Sequence, residues 1–481
     1  MASKKALVLG LGASGFAAAQ YLDARGWTVL AMDTRAHPPL EAKLSECCPR
    51  AVFEGGVIRA DAVRGCDLVM ISPGLSPDHS AAAPAVAEAK RLGVELVGEI
   101  ELFARELARL KAEKGYSPKV IGVTGTNGKT TTTSLTARML NEAGIPAVAA
   151  GNIGPNAVKE LCEHDAAGTL PAVWVLELSS FQLETTSSLH CDAATVTNVT
   201  QDHIDWHGNF ENYVRAKRRI LKPGTLEVLN REDPLSIGSA LEGEAVESFG
   251  ATAPEAPGEW GIAVQDGIEW LAKAGEEGET PQLLMPVRAL QIRGRHNAMN
   301  ALTALALATA AGAPLAKCLR TLEAYRGEPH RTEFVLKAAG VDFIDDSKGT
   351  DVGATAAGLM GLGASGQKII VLLGGDGKGQ DFSPLADAVR SWARGAVTFG
   401  RDGDLIAHAI EGAGVEMVRA ATLEEATRKA FAMARPGDAV LLSPACASWD
   451  MFPNYAVRAQ VFRDEAAKIA AEADQKDAKT C

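Results

Sequence analysis

The run KVIGVTGTNGKTTTTSLTARML, from Lys119 to Leu140, constrains the fold more than any other segment of the chain. An apolar strand enters a glycine turn ending in Gly-Lys-Thr, and a helix leaves it. Elements in that order make a cradle for a nucleoside triphosphate. Backbone N–H groups of the loop and the helix N-terminus face the phosphates, Lys129 supplies positive charge, and a threonine hydroxyl can hold Mg²⁺. The usual P-loop has a glycine five residues before Gly128. Here that position is Val123, so Gly125-Thr126-Asn127-Gly128-Lys129-Thr130-Thr131 is a shorter variant of the loop.

Apolar strand-like runs alternate with helical segments on both sides of this loop, which predicts α/β units with parallel sheets. KKALVLG, TVLAMD and DLVMISPG read as strands of a first block. The helix in GEIELFARELARLKAEKG then runs through a charged stretch to Ser117-Pro118, a natural boundary. The second block holds the phosphate loop, AVWVLELSSFQLE and AATVTNVTQDH. From about Thr225 to Val287 the pattern breaks into Pro/Gly/Glu-rich loops and short alternating runs, which read as hairpins and surface connections. After Gly327, FIDDSKGT, KIIVLLGG, GAVTFG and DAVLLSP open a third block, and the last residues read as a frayed tail. With 481 residues, three domains fit the usual length range. The expected limits are 1–115, 116–327 and 328–481.

A formal net charge of −12 argues against general nucleic-acid binding. No apolar run reaches membrane-spanning length, and the start of the chain lacks a signal-peptide layout. Eight cysteines without CxxC spacing read as reduced thiols. A cytoplasmic protein without membrane insertion is therefore expected.

Gly10-Leu11-Gly12-Ala13-Ser14-Gly15 matches GxGxxG, follows a strand and opens a helix, with Asp33 ending the next strand. That context suits an NAD-dependent oxidoreductase. Its physical content is narrower: a diphosphate can approach this backbone, and an acidic group can meet a nearby polar one. A UDP-linked substrate meets the same description. No hydride-transfer site follows downstream, so a nucleotide-diphosphate substrate is the assignment made.

Glu177 and the segment Thr197–Asp205 each follow a predicted strand, where ligands of open α/β sheets bind. Glu177 and His203 beside a phosphate loop suit a Mg²⁺ site. An N-cap for Asp202 and a loop hydrogen bond for His203 are the plainer alternatives. Lys217, among Arg215, Arg218 and Arg219, reads as a solvated basic helix face. His207 and His190 read as surface or loop histidines.

Taken together, GTNGKTT, ELSSFQLETT, NVTQDHIDWH, GRHNAMNALTALALA, DDSKGTDVGAT, LLGGDGKGQDF and LLSPACASWDMF resemble the Mur ligases, and among them the D-glutamate-adding branch. The resemblance covers nearly the whole chain. It implies an α/β protein of three domains: an N-terminal Rossmann-like domain for a UDP sugar, a central P-loop-type ATPase, and a C-terminal Rossmann-like domain, the latter two closing on the substrates. It implies ATP-driven joining of D-glutamate to UDP-N-acetylmuramoyl-L-alanine through an acyl phosphate, by a monomer. Lys129 and Thr130 would hold the phosphates and a first Mg²⁺ with Glu177, and His203 would bind a second Mg²⁺. Lys217 would be carbamylated and serve as a metal ligand. Asn297 and Asn300 would contact adenine, and Arg331 and Asp346 would serve the nucleotide. Lys348, Thr350, Lys378, Ser448 and Tyr455 would surround D-glutamate. Ser14, Asp33, Thr34, Arg35, Ser72, Pro73 and Gly74 would take the UDP moiety, with Asn152 further along that substrate.

Overall fold

The computed structural model describes residues 4–277, 279–292, 294–364 and 366–480. They form two compact units. The first comprises Met1–Val199, His203–Pro286 and Asn300–Leu322, and the second comprises Thr200–Asp202, Val287–Met299 and Glu323–Cys481.

The first unit contains two sheets. One is built from β1 (Lys5–Leu9), β2 (Thr28–Asp33), β3 (Ala51–Gly55), β4 (Leu68–Ile71) and β5 (Glu95–Val97), in the order β3-β2-β1-β4-β5. All its pairings are parallel. Four of the five β1 residues are buried, as expected of a continuous apolar run covered on both faces. The strand order reverses at β1, and this switch point puts the Gly10 loop and the Ser72 turn side by side at the carboxyl ends of β1 and β4.

The second sheet contains β6 (Lys119–Thr124), β7 (Ala147–Gly151), β8 (Val173–Glu177), β9 (Ala193–Val196), β10 (Leu226–Asn230), β11 (Val246–Phe249), β12 (Glu259–Gln265), β13 (Ile268–Lys273) and β14 (Gln282–Pro286). Its order is β14-β13-β12-β11-β10-β9-β6-β8-β7. The stretch read as hairpins and surface connections is thus partly sheet extension. β10 and β11 continue the parallel ladder, and only β12, β13 and β14 pair as antiparallel hairpins. Trp260 and Leu271 on that extension are fully buried, so apolar burial recruits the short runs into the sheet.

The helix Glu99–Lys114 carries more than a charged surface. Glu99, Glu101 and Glu106 are all buried on it. Glu99 accepts the Val158 N–H at 2.7 Å, and Glu101 accepts the N–H groups of Ser187 and Ser188 at 2.8 Å each. These charge-assisted bonds fasten the helix to segments that follow the phosphate loop. Burial pushes the Glu99 carboxyl up to about 7, against the pull of the Val158 and Ala157 amides.

The second unit has one sheet: β15 (Glu333–Ala338), β16 (Val341–Asp345), β17 (Ile369–Gly374), β18 (Ala393–Phe399), β19 (Glu416–Arg419) and β20 (Ala439–Leu442). The order is β15-β16-β20-β17-β18-β19, parallel apart from the β15–β16 pair. The end of the chain, expected to fray, continues the helix Tyr455–Thr480. Its Ala, Glu, Lys and Gln content favours helix. No helix among the described residues is long and apolar enough to cross a membrane.

Candidate active site

β6 delivers the chain into the phosphate loop. Gly125 (φ +144°) and Gly128 (φ +83°) both take conformations that side chains disfavour. A Cβ on Gly125 would also collide with Thr197 Oγ1. Thr197 donates to the Asn127 carbonyl at 2.7 Å, and Asn198 accepts the Asn127 N–H at 2.9 Å while donating to its carbonyl at 3.0 Å. The Thr126 N–H donates to the Asn198 carbonyl at 2.8 Å. The loop is therefore clamped by the segment after β9, and the N-terminus of helix Lys129–Glu142 opens directly behind it. Lys129 Nζ donates to the carbonyls of Gly125 (2.9 Å) and Thr126 (2.7 Å). Thr130 and Thr131 are buried in the first helical turn. Asn300, expected at an adenine, has its amide oxygen packed against Gly128.

Lys217 is no solvated face. It is 2% exposed, and its Nζ donates to the Gly125 carbonyl at 2.6 Å. The cation lies 4.4 Å from the centre of the Tyr213 ring, and the Tyr213 hydroxyl sits 2.9 Å from Thr126 Oγ1. Tyr213 and Lys217 are four residues apart on helix Phe210–Arg218, so they share the face turned to the loop.

Glu177 ends β8 and is 2% exposed. Its Oε1 accepts from Asn152 Nδ2 at 2.7 Å, whereas its buried Oε2 has no hydrogen-bond partner. Asn152, expected along the UDP substrate, is thus brought to this carboxylate. His203 adopts φ +54° as it starts the short helix Ile204–His207, and its ring meets Phe181 edge-on at 4.6 Å. Such backbone strain, of order 1–3 kcal/mol, collects at functional positions. His207 is a core residue, contrary to expectation: it is 5% exposed, and its Nε2 lies 3.0 Å from Ser180 Oγ. His190 is exposed, with Nε2 3.0 Å from the Pro223 carbonyl.

At the other sheet of this unit, a cleft of about 380 Å³ is lined by Ser14, Asp33, Thr34, Arg35, Ser72, Pro73 and Gly74 along with the Gly10 loop. Ser72 Oγ donates to the Gly10 carbonyl at 2.7 Å. A Cβ on Gly15 would occupy the place of that same carbonyl. Gly15→Ala is accordingly expected to abolish saturation by a nucleotide-diphosphate substrate, as read by titration calorimetry. Asp33 accepts the Leu11 N–H at 2.7 Å and a forked pair of bonds from Arg35 at 2.8 and 2.7 Å. Burial raises its carboxyl, but these donors outweigh it and hold the group down at about 2. A carboxylate so engaged holds the glycine loop and Arg35 in place. It has little left for a ribose hydroxyl, which weakens the dinucleotide alternative.

In the second unit, Asp346 follows β16. Its Oδ2 accepts from Ser443 Oγ at 2.6 Å and its Oδ1 from the Thr332 N–H at 3.1 Å. Burial pushes its carboxyl up to about 7 against the opposing pull of Ser443 and Arg331. A carboxyl raised in the fold binds its proton more tightly there than in the unfolded chain. Its contribution to stability is therefore full below about 4 and is lost as pH rises toward 7. Asp346→Asn should flatten this part of the profile: the stability gap between variant and parent, measured by urea unfolding, should shift by a few kcal/mol (order of magnitude) between pH 4 and 7.5.

Lys348 donates its N–H to the His330 carbonyl at 3.3 Å, and its Nζ lies 5.6 Å from the Tyr455 ring, which also meets the His330 ring at 5.7 Å. Thr350 is half-buried two residues on, and Ser448 is buried. Lys378, at φ +54°, places Nζ 3.3 Å from Asp202 Oδ1. Asn297 stands beside His296, whose ring packs on Gly294 and Gly361. Burial, then the Arg331 charge, lowers the His296 pKa to about 4.

Two groups in this unit escaped notice in the sequence. Arg458 is fully buried and donates to the carbonyls of Cys446 (3.0 Å) and Ser347 (2.9 Å), tying the loop after β20 to the loop after β16. His330, Glu333 and Asp345 have the spacing of a metal site, yet Arg463 pairs with both carboxylates. A guanidinium already supplies the positive charge there.

Known proteins match this arrangement along its length. Family models match three stretches: Mur ligase MurD-like, N-terminal domain, over residues 4–98; Mur ligase middle domain, over 123–308; and Mur ligase, glutamate ligase domain, over 330–446. The chain is 48% identical over 489 residues to a UDP-N-acetylmuramoylalanine–D-glutamate ligase of Cupriavidus pinatubonensis, covering 96% of this chain and 97% of that one. It is also 48% identical over 493 residues to the enzyme of the same name from Ralstonia nicotianae, covering 98% of both. Among solved structures, UDP-N-acetylmuramate-alanine ligase MurC from Thermotoga maritima shares the fold with a TM-score of 0.61 and 21% identity, over 97% of this chain and 100% of that one. A pseudomurein peptide ligase type C from Methanothermus fervidus gives 0.57 at 18% identity, with the same coverage.

Proposed function

This chain belongs to the Mur ligase family, and from that premise we propose that it joins D-glutamate to UDP-N-acetylmuramoyl-L-alanine, cleaving ATP to ADP and phosphate in peptidoglycan precursor synthesis. The observation that carries this function is the loop Gly125–Thr131, on whose first carbonyl both Lys129 and Lys217 converge. Full-length relatives bearing that ligase name support the choice of substrates.

A carboxylate cannot acylate an amine directly, because oxide would have to leave. The terminal carboxylate of the UDP substrate instead attacks the γ-phosphorus of ATP, the β–γ bridging P–O bond breaks, and ADP leaves. The amine of D-glutamate, having lost its ammonium proton, attacks the acyl phosphate, and inorganic phosphate departs from the tetrahedral adduct. The loop N–H groups and Lys129 hold the phosphates and offset their charge. Asn297 and Asn300 serve the adenine, and Arg331 and Asp346 serve the nucleotide. Lys348, Thr350, Lys378, Ser448 and Tyr455 take D-glutamate, the two lysines answering its two carboxylates. Ser14, Thr34, Arg35 and Ser72-Pro73-Gly74 take the UDP moiety, with Asp33 positioning Arg35.

Mg²⁺ suits this site, because the buried Glu177 Oε2 without a partner is the hard oxygen such an ion needs. Thr130, Glu177, His203 and a carbamylated Lys217 would hold two ions, which when bound neutralise the triphosphate and polarise its γ-phosphoryl group. Carbamylation would add CO₂ to Nζ with loss of two protons from the ammonium, turning a buried cationic donor into an anionic oxygen ligand. Chelation with EDTA is expected to stop turnover and added Mg²⁺ to restore it. A monomer is part of the same proposal, and the nucleotide substrates and the free cysteines among the described residues support a cytoplasmic setting.

The acyl phosphate is tested by trapping. With ATP, Mg²⁺ and UDP-N-acetylmuramoyl-L-alanine but no D-glutamate, hydroxylamine should yield the substrate's hydroxamate, detected by mass. Full ligation activity without any trapped hydroxamate would overturn the intermediate.

A further inference from the structure

Between the UDP-side cleft and the phosphate loop runs a wall of aromatic rings whose first member is Trp206. The Trp206 indole Nε1 donates to the Pro73 carbonyl at 3.0 Å, and Ser76 Oγ donates to the Trp206 carbonyl at 2.7 Å. Two residues on, a Cβ at Gly208 would lie 2.6 Å from His79 Nε2, so this turn is packed closely against the cleft's own loop. On its other side the indole stacks on Phe181, with centroids 4.5 Å apart and planes at 22°. Phe181 in turn meets the His203 ring. His207 bridges from Trp206 (4.5 Å) to Tyr213 (5.5 Å), and the Tyr213 hydroxyl reaches Thr126. The path from Pro73 to the phosphate loop is unbroken.

We propose that Trp206 is a positioning residue of the ligase reaction: it fixes the Ser72-Pro73-Gly74 turn over the UDP-side cleft and backs the ring that presents His203. The geometry assigns each half of this role to a different part of the side chain. Proline has no N–H, so its carbonyl is the one backbone hydrogen-bonding group at Pro73, and the indole N–H takes it. Ser72 is pinned from the opposite side, through Oγ to the Gly10 carbonyl. The width of the cleft is therefore set by two bonds, one from each flank. The indole face, by contrast, supports Phe181, and Phe181 supports His203, which holds a left-handed backbone conformation that needs packing around it. A phenylalanine at 206 keeps the face and loses the bond, whereas a leucine loses both.

This role rests on the assignment of the Gly10–Gly15 cleft to UDP-N-acetylmuramoyl-L-alanine, and the test separates the two. Steady-state kinetics with saturating D-glutamate and Mg²⁺ should give Trp206→Phe a KM for the UDP substrate raised about tenfold, the effect of one lost hydrogen bond at a preorganised site. Its kcat and its KM for ATP should stay within about twofold of the parent by the same reasoning. Trp206→Leu should add a fall in kcat. Ser76→Ala, which leaves the rings untouched, should move KM for the UDP substrate in the same direction. An unchanged KM in both Trp206→Phe and Ser76→Ala, or an equal rise in both substrates' KM values, would overturn the role of Trp206. Failure of the unaltered chain to show saturable binding of the UDP substrate would instead overturn the cleft's assignment.

Discussion

Lys129→Ala is expected to lose turnover by about a thousandfold or more while the protein stays folded. The side chain donates directly to two loop carbonyls, those of Gly125 and Thr126. It is the point charge against which the β- and γ-phosphates would be held, and single electrostatic groups of this kind are worth about 10²–10³ in kcat. Alanine is the best helix former, and position 129 opens the helix Lys129–Glu142, so the melting temperature should move by only a few degrees. Lys129→Arg should not rescue, because a planar fork does not replace a compact ammonium. Circular dichroism would establish the fold and phosphate release the activity. Normal ligation by the folded alanine variant would remove the loop from the mechanism.

Glu177→Gln should separate stability from function. The carboxylate is buried, and one oxygen lacks any hydrogen-bond partner, an arrangement that costs the folded protein about 1–3 kcal/mol. Glutamine keeps the shape, and its carbonyl can still accept from Asn152. The variant should therefore melt at the same temperature or higher. Its kcat should fall about a hundredfold, with a steeper requirement for Mg²⁺, since a neutral amide is a poorer ligand for a hard cation. Thermal unfolding and a Mg²⁺ titration of phosphate release check both halves. A variant of lower stability with unchanged activity would mean that Glu177 is a core group and nothing more.

Much of the fold could be read in the chain because parallel strands announce themselves. ALVL, VWVL and IIVLL are apolar throughout, each followed by glycine or an acid, and they form the body of β1, β8 and β17. Ligands of such sheets bind at the strands' carboxyl ends, so the phosphate loop and Glu177 could be singled out by position, whereas Asp346 was named only by the resemblance. The strands β10–β14 were harder to see. Their runs are short and interrupted, and it is the backbone pairing, with burial of Trp260 and Leu271, that shows they belong to a sheet.

What could not be read was burial of charge. Lys217 sits among three arginines, and nothing local distinguishes the one cation turned inward toward Gly125, 92 residues away in sequence. Resemblance alone singled it out. Glu99, Glu101 and Glu106 on a helix rich in lysine and arginine look like solvated charges, yet the first two accept backbone amides supplied from later segments and Glu106 pairs with Arg25 at the end of an earlier helix. Arg458 is the same case in the second unit: a residue of the final helix whose partners, Ser347 and Cys446, lie on two separate loops. Each depends on contacts between distant stretches, which no periodicity encodes. Trp206 and His207 escaped for a related reason, since HIDWH carries no local sign that its rings face inward.

The central claim is tested most directly by ATP-dependent phosphate release with UDP-N-acetylmuramoyl-L-alanine, offering D-glutamate, L-glutamate, meso-diaminopimelate and L-lysine separately as the amine. Release that requires D-glutamate, with the amide product identified by mass, is the expected result. Release with a diamino acid and none with D-glutamate would contradict it, leaving the phosphate loop in place and overturning the assignment of Lys348, Lys378, Ser448 and Tyr455.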